Sequence, residues 1–306
     1  MAADRSAAPQ PKWQTGEARA AAMFLAPALI LLVGFFFIPV IASLLLSVTD
    51  FDIYALGDVN NVRFVGLKNY AELLNAPIFW KALRNTLFFA FIGGPLTVAA
   101  SLSAALLVNA KVARWKGLFR TIFFAPVVTT LVAVAIVWRY LYHPRFGLLN
   151  QMLGTFGIEP IDWLGDPRFA MPAIILLAVW KNFGYNMIIF VAGLQGIPEE
   201  LYEAARIDGA GPWQQFRFIT IPMLAPTFLF VGIVTAIGYF QLFAEPYVMT
   251  PDGGPLDSTL SVVMLMYEQG FRWWNMGYAA SVAFVLFAII AVATAIQFGI
   301  QRARQS

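Results

Sequence analysis

"EAARIDGAGPWQQFRFITIP", residues 203–222, is a polar stretch with two glycines, set between two long apolar runs. On one side, residues 169–197 are interrupted by a single charge, Lys181; on the other, residues 218–244 carry none. A helix needs about 20 mostly apolar residues, each rising roughly 1.5 Å, to cross a hydrocarbon core near 30 Å thick. Both runs meet that length, so the quoted stretch reads as a loop joining two membrane-spanning helices. The fold class follows: an all-α membrane protein.

The same test applied outward finds charge-free runs at 20–49, 85–110, 121–138 (extended by "RYLY") and 273–301. The expectation is six transmembrane helices, at about 21–48, 85–109, 120–142, 170–194, 218–244 and 275–300. Composition agrees. The 306 residues are 60% hydrophobic and 12% charged, with a mean hydropathy of +0.71, whereas a soluble domain carries about 25% charge. There is no cysteine and one histidine, His143, which excludes disulfides, thiolate metal sites and histidine clusters. No metal site and no cofactor is expected. The formal charge of +3 is too small to point to nucleic acid.

The first apolar run is much longer than a signal peptide's, and no convincing small-residue cleavage site follows it, so it reads as a retained helix. Residues 1–19, with "AAPQPK", read as a short disordered cytoplasmic tail, 20–301 as the transmembrane domain, and 302–306 as a second cytoplasmic tail. Lys and Arg favour cytoplasmic loops. With the amino terminus inside, the inner segments hold Arg5, Lys12, Arg19, Lys111, Arg114, Lys116, Arg120, Arg206, Arg217, Arg302 and Arg304, over less chain than the basic residues outside. Both termini are expected to be cytoplasmic. The outer loops, with "FVGLKNYAELL" and "LMYEQGFRWWN", read as short helices at the outer interface, where Trp and Tyr are favoured.

The loop 197–217 has strong helix signals and the wrong length for a span. Pro198 suits a first helical position, and Glu199 and Glu200 sit in the first turn, where the helix dipole favours negative charge. "ELYEAARID" supplies good helix formers before Gly209 and Gly211, and Pro212 can start a second helix. A short helix held at the membrane face by a glycine elbow is suited to docking on another protein. A plain connecting loop with incidental helicity is the alternative.

The spacing goes further. EAA, three residues, Gly209, nine residues, Ile219, one residue, Ile221 and Pro222 resembles the EAA signature of binding-protein-dependent ABC importer permeases, departing from it only at Ile221, where leucine is usual. "FLAPALILLVGFFFIPV", "FVGLKNYAELL", "RNTLFF", "FRTIFFAPVV", "AGLQGIPEELYEAARIDGAG" and "TPDGGP" extend the resemblance over nearly the whole chain, to the sugar branch of the MalF and UgpA type. It implies a MetI-like type I ABC importer permease fold, with a core of about five of the six helices. It also implies that the loop helix couples the permease to an ATPase, through Glu203, Ala204, Ala205, Asp208, Gly209, Ile219 and Pro222. The implied partners are an ATP-binding cassette ATPase dimer, a second permease subunit that is a different chain, and an extracytoplasmic sugar-binding protein. The implied location is the bacterial or archaeal cytoplasmic (inner) membrane.

Nowhere does the chain hold G-x-x-x-x-G-K-[ST], the loop that cradles nucleotide phosphates, so ATP hydrolysis would fall to a separate subunit. No acid/base pair or nucleophile constellation lies within the spans, and no enzymatic activity is expected. The rival mechanism is an ion-coupled secondary carrier, which needs ionisable groups near the bilayer midplane; Lys181 alone meets that description. Lys181 costs at least about 2.5 kcal/mol at mid-membrane. Either it snorkels, or it pairs with a partner's carboxylate, or it lines an aqueous path with Trp180, Asn182, Tyr185 and Asn186. The resemblance implies a sugar contact at Tyr185 and another at Tyr239. In "IGYFQLFAEPY", Tyr239 and Phe243 are four apart and share a helical face, with Gln241 turned away. The candidate substrate path is therefore Lys181, Asn182, Tyr185, Tyr239, Gln241 and Phe243. Glu245 and Asp252 read as solvated at the outer end, and His143 as an interfacial residue.

Overall fold

A computed structural model describes residues 15–58, 61–110 and 114–305. Among these residues the chain is helical, with one isolated antiparallel bridge between Thr49 and Phe64. Four helices are long and apolar enough to cross a membrane: Arg19–Leu46, Pro77–Asn109, Pro167–Gln195 and Met276–Ile300. Two bent pairs bring the number to six if each pair is one span: Lys116–Val128 with Leu131–Leu141, turned by 98°, and Pro212–Met223 with Ala225–Phe240, turned by 65°.

The first span consists of α1 (Thr15–Leu32), a π-turn at Val33–Phe37 and α2 (Ile38–Leu46). Helix begins within the stretch expected to be a tail, because "TGEARAAAM" is rich in good helix formers; residues 1–14 lie outside the described part. None of this span's apolar window is buried, and Phe24 and Phe35 are 80% and 82% exposed. Such a face suits lipid or another subunit rather than this chain's own core.

After the short helix α3 (Lys68–Asn75), the second span starts at Pro77, earlier than residue 85. It consists of α4 (Pro77–Phe88), a π-turn at Phe89–Gly93 and α5 (Gly94–Asn109). Pro77 sits in its first turn, where no backbone N–H is needed, and the extra turns carry Lys81 and Asn85 to the loop around Asp257. There Lys81 pairs with Asp257 at 3.2 Å, and the Asn85 amide donates to the Asp257 and Leu260 carbonyls at 2.8 and 2.9 Å.

The third span is not one straight helix. α6 (Lys116–Val128) contains Pro126 and stops at Thr129, whose backbone is extended; α7 (Leu131–Leu141) starts again from Thr130. Proline removes a donor and crowds the preceding turn. The short helix α8 (Leu148–Gly154) follows, and then α9 (Pro167–Gln195), the fourth span, which is the most enclosed of the four long helices. The Asp166 carboxylate caps α9, accepting from the Arg168 N–H at 2.8 Å and the Arg168 guanidinium at 2.7 Å, which holds its carboxyl below the usual carboxylate range.

α9 packs along α5 and α6 and runs through two buried clusters. One includes Ile174, Leu177, Tyr142 and Phe240; the other includes Met187, Phe190, Val108 and Val231. Gly184 is where α9 meets α6: a Cβ there would sit 2.0 Å from the Phe123 carbonyl oxygen. Small residues let membrane helices approach this closely. Gly184→Ala is therefore expected to push the helices apart at a cost of about 1–3 kcal/mol and to lower the thermal unfolding midpoint in detergent. Gly154→Ala, with open space around it, is the control; equal melting of the two variants would refute the close-approach account.

The loop after α9 carries α10 (Glu199–Ile207). The fifth span follows as α11 (Pro212–Gln215), a π-turn at Phe216–Thr220, α12 (Ile221–Met223) and α13 (Ala225–Phe240). It bends at Leu224 (φ −82°, ψ 0°), just before Pro226, which lacks the N–H that a continuous helix would use. It also ends at Phe240, before the expected residue 244. The chain turns through Gln241, Leu242 and Phe243 into α14 (Ala244–Met249). α15 (Val262–Tyr267) then leads through a π-turn to the last span, α16 (Met276–Gln305), whose helix continues through the expected tail residues 302–305. A third buried cluster, including Leu73, Phe79, Val262, Leu265 and Val282, joins α3, α4, α15 and α16.

Candidate docking helix and membrane cavity

α10 has no buried residue. Leu201, Ala204 and Ile207 recur at helical spacing and are all exposed, Ile207 at 87%. Glu203 is exposed too, with only a 3.9 Å contact to Arg206. Tyr202 ties the helix to the membrane part: its hydroxyl meets Thr220 Oγ1 at 2.9 Å and its ring packs against the second buried cluster. At its end Asp208 is exposed, and Gly209 adopts φ +82°, the left-handed region that favours glycine. Ala210 N–H then reaches back to the Ala205 carbonyl at 2.8 Å, the six-to-one bond of a Schellman stop. Gly211 precedes α11, its N–H donating to Gln214 Oε1 at 2.8 Å, and Pro212 takes the first helical position. Ile219 packs against the second buried cluster, and Pro222 lines an apolar cleft of about 1010 Å³ that also includes Met223, Phe228 and Gln297. The seven residues singled out in this region thus divide between an exposed helix with its stop and the root of the fifth span.

A second site lies between the fourth and fifth spans. Asn182, Tyr185 and Asn186 fall at i, i+3 and i+4 on α9, hence on one face, and with Thr235, Tyr239 and Glu245 they line a cavity of about 310 Å³. Tyr239 is buried and stacks on Phe89 with ring centres 4.8 Å apart; its hydroxyl is engaged by Thr97 and Asn182. The Asn186 amide donates to Thr235 Oγ1 at 2.9 Å.

Lys181, Gln241 and Phe243 are not in that lining. Lys181 is one residue, about 100° of helix, from Asn182. Its ammonium donates to the Pro126 and Thr129 carbonyls at 3.0 and 2.9 Å. These are acceptors at the stopped end of α6, where the helix dipole also favours a cation. Gln241 is exposed beyond the end of α13. Phe243 does not share a helical face with Tyr239, because the helix has ended between them; it packs on Tyr247 and Tyr267 with ring centres 5.1 and 5.2 Å away.

Glu245 is the functional candidate that sequence reasoning left in solvent. The turn at 241–243 folds α14 back over the cavity and makes Glu245 part of its wall. Asp252 is instead paired with Arg272 at 2.5 Å, and His143 stacks on Phe146. The i, i+4 repeat of Asn182 and Asn186 was a readable sign of a polar helix face, whereas nothing local marks Glu245.

A bundle of bent, lipid-exposed helices around a polar cavity, with one exposed helix projecting from a loop, defines a membrane transport component. The chain belongs to the family of binding-protein-dependent transport system inner membrane components, whose model matches residues 97–305. It is similar to the lactose transport system permease protein LacF of Rhizobium radiobacter, 40% identical over 92% of this chain and 94% of that protein. It is also similar to the arabinooligosaccharides transport system permease protein AraP of Bacillus subtilis, 34% identical over 95% of this chain and 92% of that one. Its fold matches that of a chain in the crystal structure of a bacterial alginate ABC transporter in complex with an alginate pentasaccharide-bound periplasmic protein. There the TM-score is 0.77 at 21% identity, covering 96% of this chain and 98% of that one. The chain is thus an ABC transporter permease subunit with the MetI-like fold, a transport component rather than an enzyme.

Proposed function

We propose that this chain forms half of the translocation pathway of a sugar importer in a bacterial or archaeal cytoplasmic membrane, with both termini in the cytoplasm. A separate ATP-binding cassette ATPase pair, a sister permease that is a different chain, and an extracytoplasmic sugar-binding protein complete the machine. The observation that carries the reading is α10: a helix with no buried residue, apolar at Leu201 and Ile207, fixed to the fifth span through Tyr202 and stopped by a left-handed Gly209. A helix this exposed and this firmly terminated is a lever for a partner. Closure of the ATPases would move α10, and with it the fifth span, turning the cavity toward a docked, loaded binding protein. The sugar class is supported by the lactose and arabinooligosaccharide relatives. Within the bundle, the aromatic and amide groups of Tyr185, Asn182 and Asn186 suit sugar C–H faces and hydroxyls.

The test is to purify the chain in mild detergent with its genomic neighbours co-expressed, identify the co-purifying subunits, and assay sugar-stimulated ATPase activity with the binding protein added. Recovery of an ATPase and a sister permease, with stimulation by a sugar, is the expected result. A stable lone chain that moves solute under an ion gradient would overturn the reading in favour of a secondary carrier.

A further inference from the structure

We infer that the membrane cavity accepts an uncharged sugar and rejects anionic ones, and that Glu245 sets this rule; the inference rests on the sugar-importer reading above. The cavity between α9 and α13 holds about 310 Å³, at the lower end of the range for small-molecule sites. Its polar wall is made of amides and hydroxyls from Asn182, Asn186, Thr235 and Tyr239, and Glu245 is the charged residue in the lining. Lys181 has its ammonium on the Pro126 and Thr129 carbonyls, one helical step away from the cavity face, at a range where its charge still acts on Glu245.

An anionic sugar entering here would meet a carboxyl group in the lining, while the Lys181 ammonium is held outside the lining on backbone carbonyls. Like charges in a low-dielectric region repel strongly, and an unpaired buried charge is costly. In either protonation state Glu245 offers an anion no counter-charge. A neutral sugar meets the opposite situation: its hydroxyls can donate to the carboxylate oxygens, in hydrogen bonds stronger than those to neutral acceptors, while the amides serve its remaining groups. The shared fold does not decide the matter, since the alginate transporter with the same architecture handles an acidic polysaccharide. The side chain at position 245 does.

The experiment uses the purified importer complex without its binding protein, so that selection by that protein plays no part. Saturation-transfer NMR measures binding of lactose, maltose and arabinobiose, each paired with a disaccharide of the same linkage carrying a uronic acid carboxylate. At least one neutral sugar is expected to bind, and its acidic counterpart to bind about tenfold or more weakly, the effect of ~1.4 kcal/mol of discrimination. Glu245→Gln should narrow that ratio, and Glu245→Asp should keep it. An acidic sugar binding wild type as tightly as its neutral counterpart would overturn the inference, as would a ratio unchanged in Glu245→Gln. If sugars stimulate the ATPase of the full system but none binds the membrane complex, the charge rule falls and the importer reading stands. If none binds and none stimulates, the sugar reading itself has failed.

Discussion

Replacing Gly209 with proline leaves the chain in the membrane and severs substrate from ATP hydrolysis. Proline is fixed near φ of about −65° and has no N–H, whereas Gly209 sits at φ +82° and its N–H donates to the Arg206 carbonyl at 3.1 Å. The substitution therefore destroys the helix stop, together with the Ala210 to Ala205 bond behind it. α10 then loses its fixed angle to the fifth span, and the Tyr202 to Thr220 tether no longer transmits a defined motion. Substrate-stimulated ATPase activity of the reconstituted complex should fall at least about tenfold, with insertion and subunit assembly unchanged. Gly209→Ala should be milder, since a left-handed non-glycine residue costs about 1–2 kcal/mol. Glu203→Ala should lower stimulation without disturbing the helix, because its side chain faces outward. Full activity of both Gly209→Pro and Glu203→Ala would remove α10 from the coupling path.

Lys181→Met should lower the stability of the folded bundle by about 1–3 kcal/mol, the value of a hydrogen bond from a charged donor whose loss leaves the Thr129 carbonyl without that donor. That carbonyl lies at the 98° turn of the third span; the Pro126 carbonyl keeps the Thr129 N–H and hydroxyl, at 3.3 and 2.6 Å, when the ammonium is gone. The penalty for carrying a lysine in the bilayer does not cancel this loss, because the unfolded but inserted chain bears it as well. Lys181→Arg keeps donors at the turn and should recover part of the stability. Thermal unfolding of the purified complex reads both effects, and a Lys181→Met variant that melts like wild type would refute the capping role.

The spans were legible because a charge-free run of sufficient length has few other uses. The loop helix was legible for a different reason: Pro198, Gly209 and Pro212 are backbone instructions, and the chain obeys them locally. The bends were not. Pro126 and Pro226 are plain in the sequence, but how sharply a chain turns near a proline depends on what meets the carbonyls at the helix end, and for the third span Lys181, from another helix, joins Thr129 in doing so. The cavity lining was legible where helical spacing carried it, as for Asn182 and Tyr185. It failed where one helix was assumed to continue: the early end of α13 separates Phe243 from Tyr239 and brings Glu245 to the cavity instead. The premature end at Phe240 has no proline or glycine at the break, and the ordered turn beyond it is secured from elsewhere, by Ser261 Oγ donating to the Leu242 carbonyl at 2.5 Å.

The first span, with none of its apolar window buried and the most apolar sequence of the four long helices, bears on how the protein is made. Its entry into the bilayer is decided by its own partitioning, before any later segment has been synthesised. The fourth span is the least apolar of the four and carries a lysine whose acceptors belong to the third. The chain thus sets a self-sufficient anchor ahead of a dependent centre: the first span needs no neighbour among these helices, whereas the third and fourth complete each other only once both are in place.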